Sequence, residues 1–181
     1  MNHPLEFIPA PRRKPLFWLF FALTLTIFGV FQALDTWLKT RAAPAGIITF
    51  EFARNAHEAG QIIGSWSLPA RISAAFGLGL DYLFMPVYAL ALGLAILLAS
   101  RQLSAGRWQT LGNWLGWGVL LAVACDALEN VGLYLALNGY GNDTSVAIVY
   151  TFVNIKFALL LLGLLYSLIG LALRARAAIV K

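Results

Sequence analysis

The sequence is poor in the residues that soluble domains use most. Only 12% of its 181 residues are charged, against about a quarter in an ordinary soluble domain. It contains one cysteine, Cys125, so no intrachain disulfide can form. Because Cys125 lies in an apolar stretch, we expect a small buried side chain rather than a reactive thiol. Cysteine usage therefore does not indicate a redox compartment.

Familiar catalytic and metal-binding motifs are also missing from the sequence. His3 and His57 both lie outside the long apolar segments, which argues against a zinc site and against a haem held by two buried histidines. No HExxH motif, nucleophile elbow or phosphate-binding glycine loop is present. The basic residues, which give a net charge of +5, form no long run, so nucleic-acid binding is not expected. The sequence indicates no metal site and leaves any cofactor unknown.

What the sequence does have is apolar length. Hydrophobic residues make up 60% of the chain, and four segments reach the roughly 20 residues that a membrane-spanning helix needs. These segments predict an all-α fold, a four-helix transmembrane bundle with a tail of residues 1–14 before it and a tail of residues 174–181 after it. The predicted spans are Pro15–Trp37, Ala74–Ala99, Leu111–Leu137 and Val146–Leu173.

Basic residues predict the orientation of the bundle, because cytoplasmic loops carry an excess of lysine and arginine. With the N-terminus inside, eight basic residues lie on the inner side and four on the outer side. An even number of spans returns the C-terminus to the same side, so we expect both ends in the cytoplasm. The inner set is Arg12, Arg13, Lys14, Arg101, Arg107, Arg174, Arg176 and Lys181, and the outer set is Lys39, Arg41, Arg54 and Arg71.

The long outer loop between the first two spans has a helical pattern of its own. Over residues 47–66, apolar side chains recur at steps of three and four, as in an amphipathic helix. Two favourable pairings, Glu51 with Arg54 and Arg54 with Glu58, are spaced for helical side-chain contacts. We expect this helix to lie on the outer membrane surface or to fold over the mouth of the bundle.

Four ionisable residues inside the spans carry most of the functional argument. Asp81, Asp126, Glu129 and Lys156 each lie about 12 to 16 Å along their helix from its outer end. A charged side chain in mid-bilayer costs about 2.5–3.5 kcal/mol, so these residues are expected to face the bundle interior and satisfy one another, a ligand or water. Helical phase adds Tyr88, on the face of Asp81, and Asn130, on the face of Asp126. These six residues form the predicted ligand-binding site.

A purely structural network is the alternative interpretation of these residues. One lysine paired with one carboxylate can fix helix register without any further role. Three acids around one base fit that interpretation poorly, because the group has a net charge of −2 when all are ionised, which favours a shared proton or a bound cation. In the fourth span, Asn154 and Lys156 are about 200° apart on the helix, and we assign Lys156 inward while leaving Asn154 open.

Three function classes remain open from the sequence. The first is a membrane binding protein or accessory subunit whose outer-half polar pocket holds a lipid-like or amphiphilic ligand. The second is an intramembrane acid–base enzyme acting on a lipid or isoprenoid, with Glu129, Asp126 and Lys156 as catalytic candidates. The third is a proton- or cation-coupled carrier, for which four spans give little room. Gly112 and Gly116 form a GxxxG motif that lets another helix approach closely, within the chain or in a homo-oligomer.

The runs Asp81–Tyr88 and Asp126–Asn130, with the opening Gly46–Glu51 of the outer helix, resemble a group of small bacterial four-span membrane proteins of uncharacterised activity. The resemblance extends over most of the chain. It implies a four-span fold and a location in the bacterial plasma (inner) membrane, and it implies no particular activity.

Overall fold

The part of the chain that the structure describes folds into six helices. The structure, a computed structural model of the full chain, describes residues 1–102 and 106–179, with side chains up to residue 173. The helices are α1 (Ala10–Asp35), α2 (Ile47–Glu51), α3 (Ala56–Ser65), α4 (Leu68–Ser100), α5 (Arg107–Leu137) and α6 (Asp143–Ile179).

Four of these helices are long and apolar enough to cross a membrane. They are α1, α4, α5 and the part of α6 from Asp143 to Leu173. Every regular element in the described residues is helical. The predicted fold class, all-α and consistent with a four-helix transmembrane bundle, is confirmed.

Most helix ends lie outside the predicted span limits, although α1 ends at Asp35 rather than Trp37 and α5 ends at Leu137 as predicted. α1 begins at Ala10, within the predicted tail of residues 1–14. α4 begins at Leu68 rather than Ala74. Pro69 lies in its first turn, where a missing backbone N–H is tolerated, so this proline does not prevent the helix from starting there. α6 continues to Ile179 through most of the predicted C-terminal tail. The side chains of Arg174 and Arg176, and Lys181 as a whole, lie outside the described residues.

The chain divides into two compact units. The first unit comprises Met1–Thr24, Pro86–Val123 and the chain from Lys156 onward, and the second comprises Leu25–Met85 and Ala124–Ile155. Each of the four long helices contributes residues to both units, because the divisions fall within α1, α4, α5 and α6.

The core of the second unit is built around α2 and α3. Phe50, Ile62 and Trp66 are buried in one apolar cluster with Leu133 of α5 and Val149 of α6. The indole Nε1 of Trp66 donates to the carbonyl oxygen of Leu38 at 2.8 Å, and its ring meets that of Phe50 edge-on. The predicted outer segment therefore packs onto α5 and α6, and its position relative to the membrane surface stays a prediction.

The outer segment is two helices where the sequence predicts one. Asn55 interrupts the run, since its side-chain oxygen accepts from the backbone N–H of Glu58 at 2.8 Å and so caps the start of α3. The Glu58 carboxylate in turn accepts from the backbone N–H of Arg54 at 2.9 Å. The backbone N–H of Ala56 donates to the Asp143 carboxylate at 2.8 Å, which ties the start of α3 to the start of α6.

In the first unit, the N-terminal residues are folded rather than a loose tail. We call Met1–Pro9 the N-terminal strap. Leu5 and Ile8 are buried in a cluster with Leu94 and Leu97 of α4. Two α5 side chains hold the start of the strap: Asn113 donates to the carbonyl oxygen of Met1 at 2.8 Å and Trp117 donates to that of Asn2 at 3.0 Å.

The space next to Gly112 and Gly116 is occupied by side chains of the same chain. A Cβ atom at Gly116 would meet the His3 ring, and one at Gly112 would meet the Tyr166 hydroxyl and the Cβ of Ser100. The within-chain alternative for the GxxxG motif therefore accounts for both glycines, while a homo-oligomer through them stays a prediction.

Candidate functional site

The deepest polar residues of the second unit lie together on α5. Asp126, Glu129 and Asn130 are spaced at i, i+3 and i+4, which places them on one face of a helix. All three are buried, and Glu129 has no exposed surface at all. Leu128 and Val131, which lie between and beside them in sequence, are exposed apolar residues. α5 therefore turns its polar face inward, as the cost of placing a charge in lipid requires.

Asn130 links this face to α4. Its side-chain amide donates to the Asp81 carboxylate at 2.8 Å and lies 3.4 Å from the carbonyl oxygen of Leu78. Asp81 itself is half-buried. The structure therefore brings together the two sequence-predicted residues Asp81 and Asn130, with Asp126 and Glu129 on the same helical face as Asn130.

Tyr82 is a further polar residue at this place, and sequence reasoning missed it. Its hydroxyl donates to the carbonyl oxygen of Ala127 at 3.0 Å, so it contacts the backbone of α5 between Asp126 and Glu129. The Tyr82 side chain is 46% exposed, unlike the residues behind it. Its position next to Asp81 in the sequence was the available signal, but helical phase alone turns it away from the Asp81 face.

Two of the predicted site residues, Tyr88 and Lys156, belong to the first unit. Both are buried, and the Lys156 ammonium lies 4.9 Å from the centre of the Phe157 ring. Asn154 is exposed and donates to the carbonyl oxygen of Tyr150 on its own helix at 2.6 Å. The structure thus resolves the question that the sequence left open about Asn154, whereas pairing of Lys156 with the acids stays a prediction.

Asp35, at the end of α1, has a different role from the other acids. Its carboxylate accepts from the backbone N–H of Ile47 at 2.8 Å and lies 3.5 Å from the Lys39 ammonium. Gly46 has a φ of +57°, and a Cβ there would collide with the Asp35 carboxylate. Asp35 therefore anchors the start of α2 against the end of α1.

The chemistry of the α5 face is that of carboxyl and amide groups. Among residues 1–102 and 106–179, no group of three or more His, Cys, Asp and Glu side chains is arranged to hold a metal ion. Carboxyl groups away from water can accept hydrogen bonds from a ligand, pair with a cation or exchange a proton. We refer to Asp81, Asp126, Glu129 and Asn130 as the carboxyl cluster.

Comparison of the chain with protein-family models, with curated proteins and with solved structures finds no significant match. The resemblance to small bacterial four-span proteins therefore stays a prediction from the sequence, and the functional argument depends on the chain's own residues.

Proposed function

We propose that this protein binds a lipid-like or amphiphilic ligand at the carboxyl cluster, as a membrane binding protein or accessory subunit. The observation that carries the proposal is the burial of Asp126, Glu129 and Asn130 on one face of a membrane-spanning helix. Each buried charge costs several kcal/mol unless it is compensated. A helix that only had to span the membrane would not need this face.

The surroundings of the cluster favour a ligand that arrives from the bilayer. Asp81 is half-buried and Tyr82 is 46% exposed, while the acids on α5 are buried. Polar groups therefore form a row from the partly exposed phenol of Tyr82 on α4 to the buried carboxyl groups on α5. An amphiphile can leave its chains in lipid while its polar group contacts such a row.

The test of this proposal is the identity of the molecules that remain bound on purification. Wild-type protein and an Asp126→Ala/Glu129→Ala variant are purified in mild detergent, and the extracted lipids and quinones are compared by mass spectrometry. An Asn154→Ala variant is the matched control, since this exposed amide bonds only within its own helix. We expect one class of amphiphile to be lost from the double variant alone. An unchanged bound set would refute the proposal.

An intramembrane acid–base enzyme is the second candidate, and the complete burial of Glu129 favours it. A carboxyl group shielded from water, with a second carboxyl group one helical turn away, suits proton transfer to or from a bound lipid. A product that forms in membranes with the wild type but not with Glu129→Gln would establish turnover. Loss of binding without any such product would leave the binding function alone.

We further propose that the protein resides in a bacterial plasma membrane with both ends in the cytoplasm. The orientation is supported by the charge distribution: Arg12, Arg13, Lys14, Arg101 and Arg107 belong to the first unit, whereas all four of the predicted outer basic residues belong to the second. The positive-inside tendency then assigns the loop between α4 and α5 to the cytoplasmic side.

A further inference from the structure

Phe7 is the most exposed large apolar side chain of the N-terminal strap. It is 79% exposed, although Leu5 and Ile8 on either side of it are buried in the cluster with α4. The strap is held by hydrogen bonds along its length, so the outward position of Phe7 belongs to the folded state. An aromatic ring presented in this way beside a membrane-spanning helix is typical of a side chain that enters the lipid interface.

Arg13 holds Phe7 next to the start of α1. The guanidinium Nε donates to the carbonyl oxygen of Ile8 at 2.9 Å, and its second nitrogen donates to that of Glu6 at 3.1 Å. These two carbonyl groups lie on either side of Phe7 in the sequence. Arg13 belongs to the first turns of α1, so these bonds fix the backbone around Phe7 to the start of that helix, where Arg12 and Lys14 also lie.

The charge around Phe7 is positive. Arg12 and Lys14 are exposed, and Glu6, the acid of the strap, forms an ion pair with Arg101. His3 is neutral at pH 7, because its pKa is lowered to about 4, first by burial and then by the positive charges of Arg101 and Arg13. The exposed cations are therefore not neutralised by the strap itself.

We propose that Phe7, Arg12 and Lys14, at the start of α1, form a binding surface for the headgroups of anionic phospholipids. Arg12 and Lys14 are about 200° apart on the helix, so each contacts the phosphate region on its own side of α1, while the phenyl ring lies among the upper acyl chains. The apolar part of α1 begins directly after Lys14, which puts this surface at headgroup level. A free phosphate ion would use the charges but leave Phe7 exposed, so the observations favour a lipid. This inference does not depend on the carboxyl cluster.

The test is lipid binding to the detergent-purified full chain, followed by native mass spectrometry. The protein is titrated with dioleoyl phosphatidylglycerol, with dioleoyl phosphatidylcholine and with inorganic phosphate. We expect the wild type to retain the anionic lipid preferentially, and Arg12→Gln/Lys14→Gln to lose that preference by about fivefold for each basic residue removed. Arg41→Gln/Arg54→Gln removes the same charge from exposed positions of the second unit and should keep the preference. Phe7→Ser should weaken retention of both lipids.

Three results would overturn the proposal. The first is equal retention of the anionic lipid by the wild type and Arg12→Gln/Lys14→Gln. The second is an equal loss in Arg41→Gln/Arg54→Gln, which would mean that net charge alone matters. The third is displacement of the lipid by inorganic phosphate, which would identify a site for a free anion. An unchanged unfolding midpoint in detergent for each variant shows that folding is not the cause of any loss.

Discussion

At the scale of single residues, Asn130 forms a hydrogen bond between side chains of α5 and α4. Its amide donates to a carboxylate on the neighbouring helix, whereas the amide of Asn154 only returns to a carbonyl of its own helix. Hydrogen bonds between membrane helices contribute about 0.6 kcal/mol on average and about 1.7 kcal/mol at most. Asn130 is therefore expected to matter for stability, and Asn154 is not.

We predict that Asn130→Ala lowers the free energy of unfolding by about 0.6–1.7 kcal/mol, while Asn154→Ala changes it by less than about 0.5 kcal/mol. Thermal unfolding in detergent measures both variants. Because the bond joins two side chains, Asp81→Ala and Asn130→Ala should also couple by more than about 0.5 kcal/mol in a double-mutant cycle. Strictly additive losses would mean that the two residues do not act together.

His3 supplies a prediction about pH. Its pKa is lowered from about 6.5 to about 4 by burial and by Arg101 and Arg13, so the docked strap contains a neutral imidazole. Above about pH 6.5 docking has its full stability, and that stability is lost as the pH falls towards about 4, because only the undocked His3 takes up a proton. The nearby Glu6 forms an ion pair with Arg101.

Hydrogen exchange of the strap amides at pH 7 and pH 5, corrected for the intrinsic pH dependence of exchange, measures this effect. We expect faster exchange of the strap at pH 5 in the wild type. His3→Asn, which retains an acceptor near the backbone N–H of Leu5, should show no such difference. Equal corrected rates in the wild type at the two pH values would contradict the prediction.

At the scale of elements, the spans and the fold class could be predicted because lipid imposes a length of apolar sequence. The strap could not, since Leu5 and Ile8 are too few to form a detectable period, and their partners Leu94 and Leu97 lie far along the chain. The break between α2 and α3 had a visible signal in Asn55 and Glu58, which have the spacing of a helix cap. The apolar period of the segment obscured it.

Some features of the candidate site could likewise be predicted from the sequence, and others could not. Burial of Asp126, Glu129 and Lys156 followed from the cost of charge in lipid, and the structure shows all three buried. The hydrogen bond from Tyr82 to the backbone of α5 could not be predicted from the sequence, because a tyrosine hydroxyl can reach a partner from a helix face that helical phase assigns to lipid. Long polar side chains are poorly placed by periodicity alone.

Substitution of a glycine on α5 gives a prediction at the scale of elements. A methyl group at Gly116 has no room beside the His3 ring, whereas a Cβ at Gly79 of α4 would meet nothing within 4 Å. Gly116→Ala is expected to displace the strap and to speed hydrogen exchange of the amides of Glu6 and Ile8, which are bonded within its turns. Gly79→Ala should leave that exchange unchanged.

The same pair of variants tests the homo-oligomer interpretation of the GxxxG motif. If Gly116 instead faced a second copy of the chain, Gly116→Ala would alter the detergent-resolved mass of the particle and leave exchange of the strap as it is. We expect the opposite pattern, because His3 fills the space above Gly116.

At the scale of the whole molecule, α1 indicates how much of the surface must be covered by lipid. None of the most apolar part of this helix is buried within the protein, and large side chains such as Trp18 and Phe28 are exposed along it. Apolar surface of this extent is not tolerated in water. This exposure accords with a membrane protein whose first span lies largely in lipid.

The proposed orientation can be tested with two engineered cysteines. Asn138 and Gln102 are exposed and lie in the loops after α5 and after α4. We predict that Asn138→Cys reacts with a membrane-impermeant maleimide on intact cells, and that Gln102→Cys reacts only after permeabilisation. The parent protein is the control, since its Cys125 is buried. Labelling of Gln102→Cys alone on intact cells would reverse the orientation.

The central claim is that the buried carboxyl groups of α5 hold an amphiphile, and the amount of ligand bound per chain tests it most directly. Native mass spectrometry of freshly purified protein gives this ratio for the wild type and for Asp126→Asn/Glu129→Gln, which keeps side-chain size while removing both acids. We predict close to one amphiphile per wild-type chain and almost none in the variant, with both proteins folded. The same bound mass in the same amount on both proteins would contradict the account.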